Sequence, residues 1–119
     1  MTGLVLFAHG ARDARWREPF DRLLERVRSG HGAPVELAFL ELMDPDLPAA
    51  AARLARVGAT RIVVVPLFLG TGGHLRRDLP RLLELARATA GVPVAAAGAA
   101  GENDAVLDAL ASYCLRSAR

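Results

Sequence analysis

The sequence predicts an α/β fold: a four-stranded parallel sheet of order 2-1-3-4 with helices on both faces, in a single domain spanning residues 1–119. Three observations predict it. Four apolar runs alternate with four amphipathic helical patterns, the signature of successive βα units joined by right-handed crossovers. The chain has 119 residues, enough for one hydrophobic core at ordinary domain size. Its 52% hydrophobic and 24% charged residues are a globular balance.

The run Leu4 to Ala8 is continuous and apolar and stops at His9-Gly10, as expected of a strand buried on both faces. Phe20, Leu23, Leu24 and Val27 then recur every three or four residues, giving a helix from about Glu18 to Arg28, with Pro19 in its first turn and Gly30-His31-Gly32 closing it. Trp16, just ahead of that helix, reads as a hydrophobic staple. Val35 to Leu40 alternates in part and reads as a strand near the sheet edge, with Glu36 on its surface side. A second helix starts after Asp46, a good N-cap, and runs through Leu47, Ala51 and Leu54 to Val57, where Gly58 stops it. Arg61 to Val65 holds the β-branched run Ile62-Val63-Val64-Val65, suited to a central strand. Pro66 to Gly73 reads as a loop, Asp78 to Ala90 as the third helix, and Val92 to Ala96 as an Ala-rich fourth strand. Asn103 caps a last helix with Val106, Leu107, Leu110 and Cys114 at helical spacing.

Composition excludes several functions. All 15 basic residues are Arg against 13 acidic ones, so the net charge is only +2. Without Lys there is neither Schiff-base chemistry nor a Lys-bearing phosphate loop. Aromatics are 5% and the arginines alternate with Asp and Glu, which reads as a solvated surface and not as a nucleic-acid interface. A single cysteine, Cys114, allows no internal disulfide and no multi-cysteine metal site. No secretory signal and no run of about 20 apolar residues is present, so the expectation is a cytoplasmic protein that does not enter membranes.

Three ligand-type residues follow three successive strands. His9 ends the first, Glu41 the second, and His74 lies after the third. A parallel sheet carries them all to its carboxyl edge, and the order 2-1-3-4 makes strands one and three neighbours there. Two imidazoles and a carboxylate suit a divalent transition metal and leave coordination positions open. The glycines of Gly70-Thr71-Gly72-Gly73 let the backbone turn and keep His74 accessible. Arg12, Arg76 and Arg77 put guanidinium groups near the same edge, where they can fork onto carboxylates or pair with Asp13 and Asp78. His31 belongs to the opposite end of the sheet and reads as solvated.

These positions carry a family resemblance. Leu4-Val5-Leu6-Phe7-Ala8-His9-Gly10-Ala11-Arg12, then Phe39-Leu40-Glu41 with Pro45 and Leu47, then Val63 to Leu69 with Gly72-Gly73-His74 and Asp78-Leu79-Pro80, resemble the small CbiX-type sirohydrochlorin chelatases of the class II chelatase superfamily. The resemblance runs from residue 4 to about 90. It implies insertion of Co(II), Fe(II) or Ni(II), the metal being a substrate, into sirohydrochlorin for cobalamin, sirohaem or a nickel tetrapyrrole, with no organic cofactor. It implies that His9, His74 and Glu41 bind the metal and carry the catalysis, with Arg12, Gly72, Gly73, Arg76 and Arg77 toward the acidic macrocycle. It also implies a homodimer enclosing that macrocycle. Ala11 departs from the family's usual Ser and lacks its hydroxyl. Two other functions use a similar inventory: a metal or tetrapyrrole carrier without catalysis, and a histidine-type phosphatase, which would place an Arg just before the nucleophilic histidine where this chain has Ala8.

Overall fold

A computed structural model describes residues 1–119. Its order is β1 (Thr2–Ala8), a 3-10 turn (Ala14–Arg17), α1 (Glu18–Gly30), β2 (Val35–Phe39), α2 (Leu47–Arg56), β3 (Arg61–Pro66), α3 (Gly73–Ala90), β4 (Val94–Ala96), a second 3-10 turn (Ala100–Glu102) and α4 (Asp104–Ser117). The strands are all parallel, in the order β2-β1-β3-β4 that the alternation predicts.

β1 lies between two neighbours, with Leu4 opposite Val35 on one side and Val63 on the other. Val5 and Phe7 are fully buried, which explains the unbroken apolar run. The strand begins earlier than that run, because Thr2 and Gly3 pair with Arg61 and Ile62; backbone ladders extend a strand whatever its side chains. β4 is shorter than its apolar stretch, starting after Pro93, whose carbonyl still accepts the Ile62 N–H at 2.9 Å.

Strand alternation divides the core into two layers. Val5, Phe7, Ile62, Val64 and Val94 meet Leu47, Ala51 and Leu54 of α2 and Leu75 and Ala86 of α3 on one face. On the other, Leu6, Ala8, Leu37 and Phe39 meet Leu24 of α1, with Trp16 and Phe20 packed against them. Trp16 does act as the staple, its ring 4.6 Å from that of Phe20. Arg17 closes the layer, its guanidinium 5.1 Å from the centre of the Phe39 ring, where a cation gains from the ring quadrupole. Glu36 is half-buried on the edge strand.

Asp46 caps α2 as expected, accepting the Ala49 N–H at 2.9 Å. Asp46→Ala should therefore lower unfolding free energy by about 1 kcal/mol, read from urea denaturation; an unchanged midpoint would remove the cap from the account.

Two expectations need correction. α3 starts at Gly73 and not near Asp78. Pro80 resembles a first-turn proline and draws the expected start toward Asp78, but it sits inside the helix and gives up one backbone bond. Burial of Leu75 and the Arg76 N–H bond to the Gly72 carbonyl at 3.2 Å bring the glycine-rich segment into the helix. His31 is not simply solvated: it is half-buried and its Nε2 bonds the Thr2 carbonyl at 3.0 Å, at the expected opposite end of the sheet. α4 is capped by Asn103, which accepts from Ala105 and Val106, yet none of its residues is buried.

Candidate functional site

The carboxyl ends of β1 and β2 and the start of α3 open onto a cavity of about 490 Å³ whose walls include His9, Glu41 and His74. Leu40, Leu75 and Leu82 supply apolar lining, and Asp78 and Arg81 complete the polar one. His9 and Glu41, 32 residues apart in the chain, touch: His9 Nε2 lies 3.0 Å from Glu41 Oε1. Because a carboxylate only accepts, Nε2 carries the proton in this contact, and a neutral ring then keeps its lone pair on Nδ1. Both side chains are 55% exposed, so the pair is open to solvent and to a ligand.

Backbone bonds set this contact. The Leu40 N–H donates to Ala8 O at 2.9 Å and the Glu41 N–H to His9 O at 3.1 Å, continuing the β1–β2 ladder past the last strand residue. Gly10 allows the approach. Its φ is +95°, and a Cβ there would overlap the carbonyl oxygen of Glu41. Phe68 backs the imidazole edge-on, with ring centroids 6.2 Å apart, and leans in turn on Phe7 at 6.0 Å. Its signal in the sequence is an aromatic two residues after the β3 strand end, on the sheet edge that also carries His9.

His74 occupies the first turn of α3 and is 95% exposed. It lines the same cavity but does not touch the His9–Glu41 pair closely enough to make a three-ligand cluster. Its Nδ1 leans instead toward Asp78 Oδ2 at 3.8 Å, one helical turn on. The expected set of His9, Glu41 and His74 is thus brought to one cavity, with two members in contact and the third lining it from the first turn of α3.

The predicted arginines divide. Asp13 pairs with Arg15 at 2.8 Å and not with Arg12, leaving Arg12 exposed beside the Gly10 turn. The Arg15 guanidinium holds the Asp13 carboxyl below its ordinary range. Arg76 reaches back to Thr71 Oγ1 at 3.4 Å and Arg77 to the Gly73 carbonyl at 3.2 Å, so Asp78 pairs with neither. Arg76 lines a neighbouring cleft of about 400 Å³ between α3 and the segment after β4. Gly72 is the N-cap of α3 and Gly73 its first residue, with no side chain capping the open N–H groups. The arginine that lines the His9 cavity is Arg81. Placing the α3 start at Gly73 reveals it, since His74, Asp78 and Arg81 are then i, i+4 and i+7 on one face.

Comparison with known proteins shows what the chain is similar to. The sirohydrochlorin cobaltochelatase of Methanocaldococcus jannaschii is 42% identical over 86 residues, 71% of this chain and 60% of that protein. The match thus spans less than two thirds of that relative. The crystal structure of a cobalamin (vitamin B12) biosynthesis CbiX protein from Marinobacter aquaeolei VT8 superposes with a TM-score of 0.88 at 33% identity, over 98% of this chain and 97% of that one. The sirohydrochlorin chelatase SirB from Bacillus subtilis subspecies spizizenii, in complex with cobalt, gives a TM-score of 0.70 at 30% identity, over 87% of this chain and 45% of that one. The CbiX family model matches residues 3–116, which takes in every strand-end residue described above, and the chain belongs to the CbiX family.

Proposed function

We propose that the protein is a sirohydrochlorin chelatase, inserting a divalent metal, Co(II) foremost and otherwise Fe(II) or Ni(II), into the macrocycle. The observation that carries this reading is the meeting of His9 and Glu41 at 3.0 Å in a cavity that also takes His74. Two ligands held at about 2.0–2.2 Å from one ion and at right angles to each other stand about 3 Å apart. An ion that replaces the Nε2 proton therefore fits between the two side chains with little rearrangement. Because the set is small and open, the ion can also leave.

Insertion removes two pyrrole N–H protons as the cation passes to the ring nitrogens. Glu41 freed from His9 is one acceptor, and His74, steadied by Asp78, is the other. Sirohydrochlorin presents several carboxylates; Arg12, Arg76, Arg77 and the uncapped N–H groups at Gly72 and Gly73 are the groups we assign to them. The metal is a substrate, and the reading needs no organic cofactor. Two copies acting together are part of the proposal: SirB is matched over 45% of its length, so a pair of these chains equals its extent. No helix is long and apolar enough to cross a membrane, and we assign the enzyme to the cytoplasm, serving cobalamin or sirohaem formation.

Anaerobic absorbance of sirohydrochlorin with Co(II), Fe(II) or Ni(II) in turn tests this. Insertion faster than the protein-free background is expected with at least one metal; tight binding of metal and macrocycle with no acceleration would make the protein a carrier. His74→Ala is expected to slow insertion about tenfold or more, within what positioned proton transfer contributes, without loss of fold because the side chain is exposed. An unchanged rate in that variant would strike His74 from the mechanism.

A further inference from the structure

Two sets of residues line the His9 cavity. The strand ends supply His9, Leu40 and Glu41, and α3 supplies His74, Leu75, Asp78, Arg81 and Leu82. Arg81 is the only guanidinium among them, set against two carboxylates, Glu41 and Asp78. Neither carboxylate is bonded to it. Asp78 leans toward His74 Nδ1 at 3.8 Å, and Glu41 Oε1 lies 3.0 Å from His9 Nε2.

The other arginines of α3 are held by their own chain. Arg76 Nε donates to Thr71 Oγ1, Arg77 Nε to the Gly73 carbonyl, and Arg87 Nε to the Val94 carbonyl at 2.9 Å. Arg81 is exposed and takes part in none of the chain's ion pairs. Its position gains nothing within the helix either, because Arg77 stands four residues before it, a like-charge spacing that weakens a helix. The guanidinium therefore keeps all its N–H donors free in a cavity that Leu40, Leu75 and Leu82 make partly apolar. Its reach also has a direction. Cα–Cβ bonds tilt toward a helix's N-terminus, and α3 begins just after the carboxyl end of β3, so a long side chain at position 81 leans back toward the turn of Asp78 and His74.

We propose that Arg81 anchors the macrocycle inside the reacting cavity, forking onto one carboxylate of sirohydrochlorin so that the pyrrole nitrogens are brought to the ion held by His9 and Glu41. The inference rests on the chelatase reading above and deepens it. Arg12, Arg76 and Arg77, the guanidinium groups already assigned to the acid arms, do not line this cavity, so their contacts can hold the ring without deciding how it enters. A planar, two-point pair fixes orientation as well as distance. Arg81 then selects which edge of the ring goes in, and it disfavours a tetrapyrrole without an ionised arm there, because the guanidinium would be left unpaired.

Titration of the protein with metal-free sirohydrochlorin, followed by fluorescence, separates this contact from insertion. Arg81→Gln should weaken binding about 10–100-fold, the range of a lost charge-assisted pair. Co(II) binding to the protein alone should not weaken, and the thermal midpoint should hold, since the side chain is exposed and glutamine is a good helix former. Arg81→Lys should recover part of the loss, keeping the charge without the fork. Arg61→Gln removes the same charge at the start of β3, the other end of the sheet, and should bind like the unaltered protein. Sirohydrochlorin with its carboxylates methyl-esterified should bind equally to Arg81→Gln and to the unaltered protein, because the partner of Arg81 is then gone. Equal binding of the free acid by the two proteins would overturn the anchor even with metal insertion established. So would a loss confined to Co(II), which would place Arg81 on the ion, or an equal loss with the ester, which would place it on the ring. An unaltered protein that does not bind sirohydrochlorin would overturn the chelatase reading and the anchor together.

Discussion

His9→Ala is expected to lower kcat/KM for metal insertion into sirohydrochlorin by at least about 100-fold, the contribution typical of a positioned group that ligates or moves protons. His9 is the hinge of the site: it contacts Glu41, rests on Phe68 and ends the central strand. Its side chain is 55% exposed while Ala8 and Phe7 beneath it are fully buried, so removing the imidazole leaves the core untouched. Exposed substitutions of this sort change stability by about 0.5 kcal/mol or less. The expected result is therefore a large loss of rate with an almost unchanged thermal midpoint, and a matching loss of Co(II) binding followed by titration. Glu41→Gln keeps the size and loses the charge; an effect of about 10–100-fold is expected, as when a group that orients or assists a metal ligand is altered. A His9→Ala protein that inserts metal at the original rate would end the assignment of this cavity as the reacting site.

Both the architecture and the arrival of His9, Glu41 and His74 at one cavity were legible in the sequence, for a common physical reason. Strand periodicity is read from burial, and in a parallel sheet the residue after each buried run must arrive at the carboxyl edge; His9, Glu41 and His74 follow from that rule. What was not legible depends on tertiary choices. Pro80 looks like a helix start, and only the burial of Leu75 draws the helix back to Gly73. That shift hid Arg81 and turned Asp78 from an arginine's partner into a neighbour of His74. The separation of His74 from the His9–Glu41 pair is a matter of distance, which no pattern of residue types encodes. The apolar spacing of α4 is plain in the sequence, but spacing alone does not bury a helix, and none of its residues is buried.

Gly10→Ala should damage fold and site together, and this is where the two are most tightly joined. At φ +95° an alanine is already strained, by about 1–2 kcal/mol. The added methyl group also overlaps the Glu41 carbonyl oxygen, a backbone atom that cannot step aside as a flexible side-chain tip would. That carbonyl accepts the Met43 N–H at 2.8 Å, and the Glu41 N–H reaches His9 O at 3.1 Å. Moving the segment apart weakens both bonds, each worth about 0.5–1.5 kcal/mol. The expected loss is about 2–4 kcal/mol in unfolding free energy, a fall of roughly 10 °C in Tm for a domain of this size. Glu41 also leaves the reach of His9, so insertion by the molecules that remain folded should drop about as far as in Glu41→Gln. Gly32→Ala is the control: it lies at the other end of the sheet with nothing within 4 Å of its added Cβ and no positive φ, and both midpoint and rate should hold. If Gly10→Ala melts and reacts like the control, the close approach of the two strand-end turns does not position the His9–Glu41 pair, and the contact between them has to be attributed to the side chains alone.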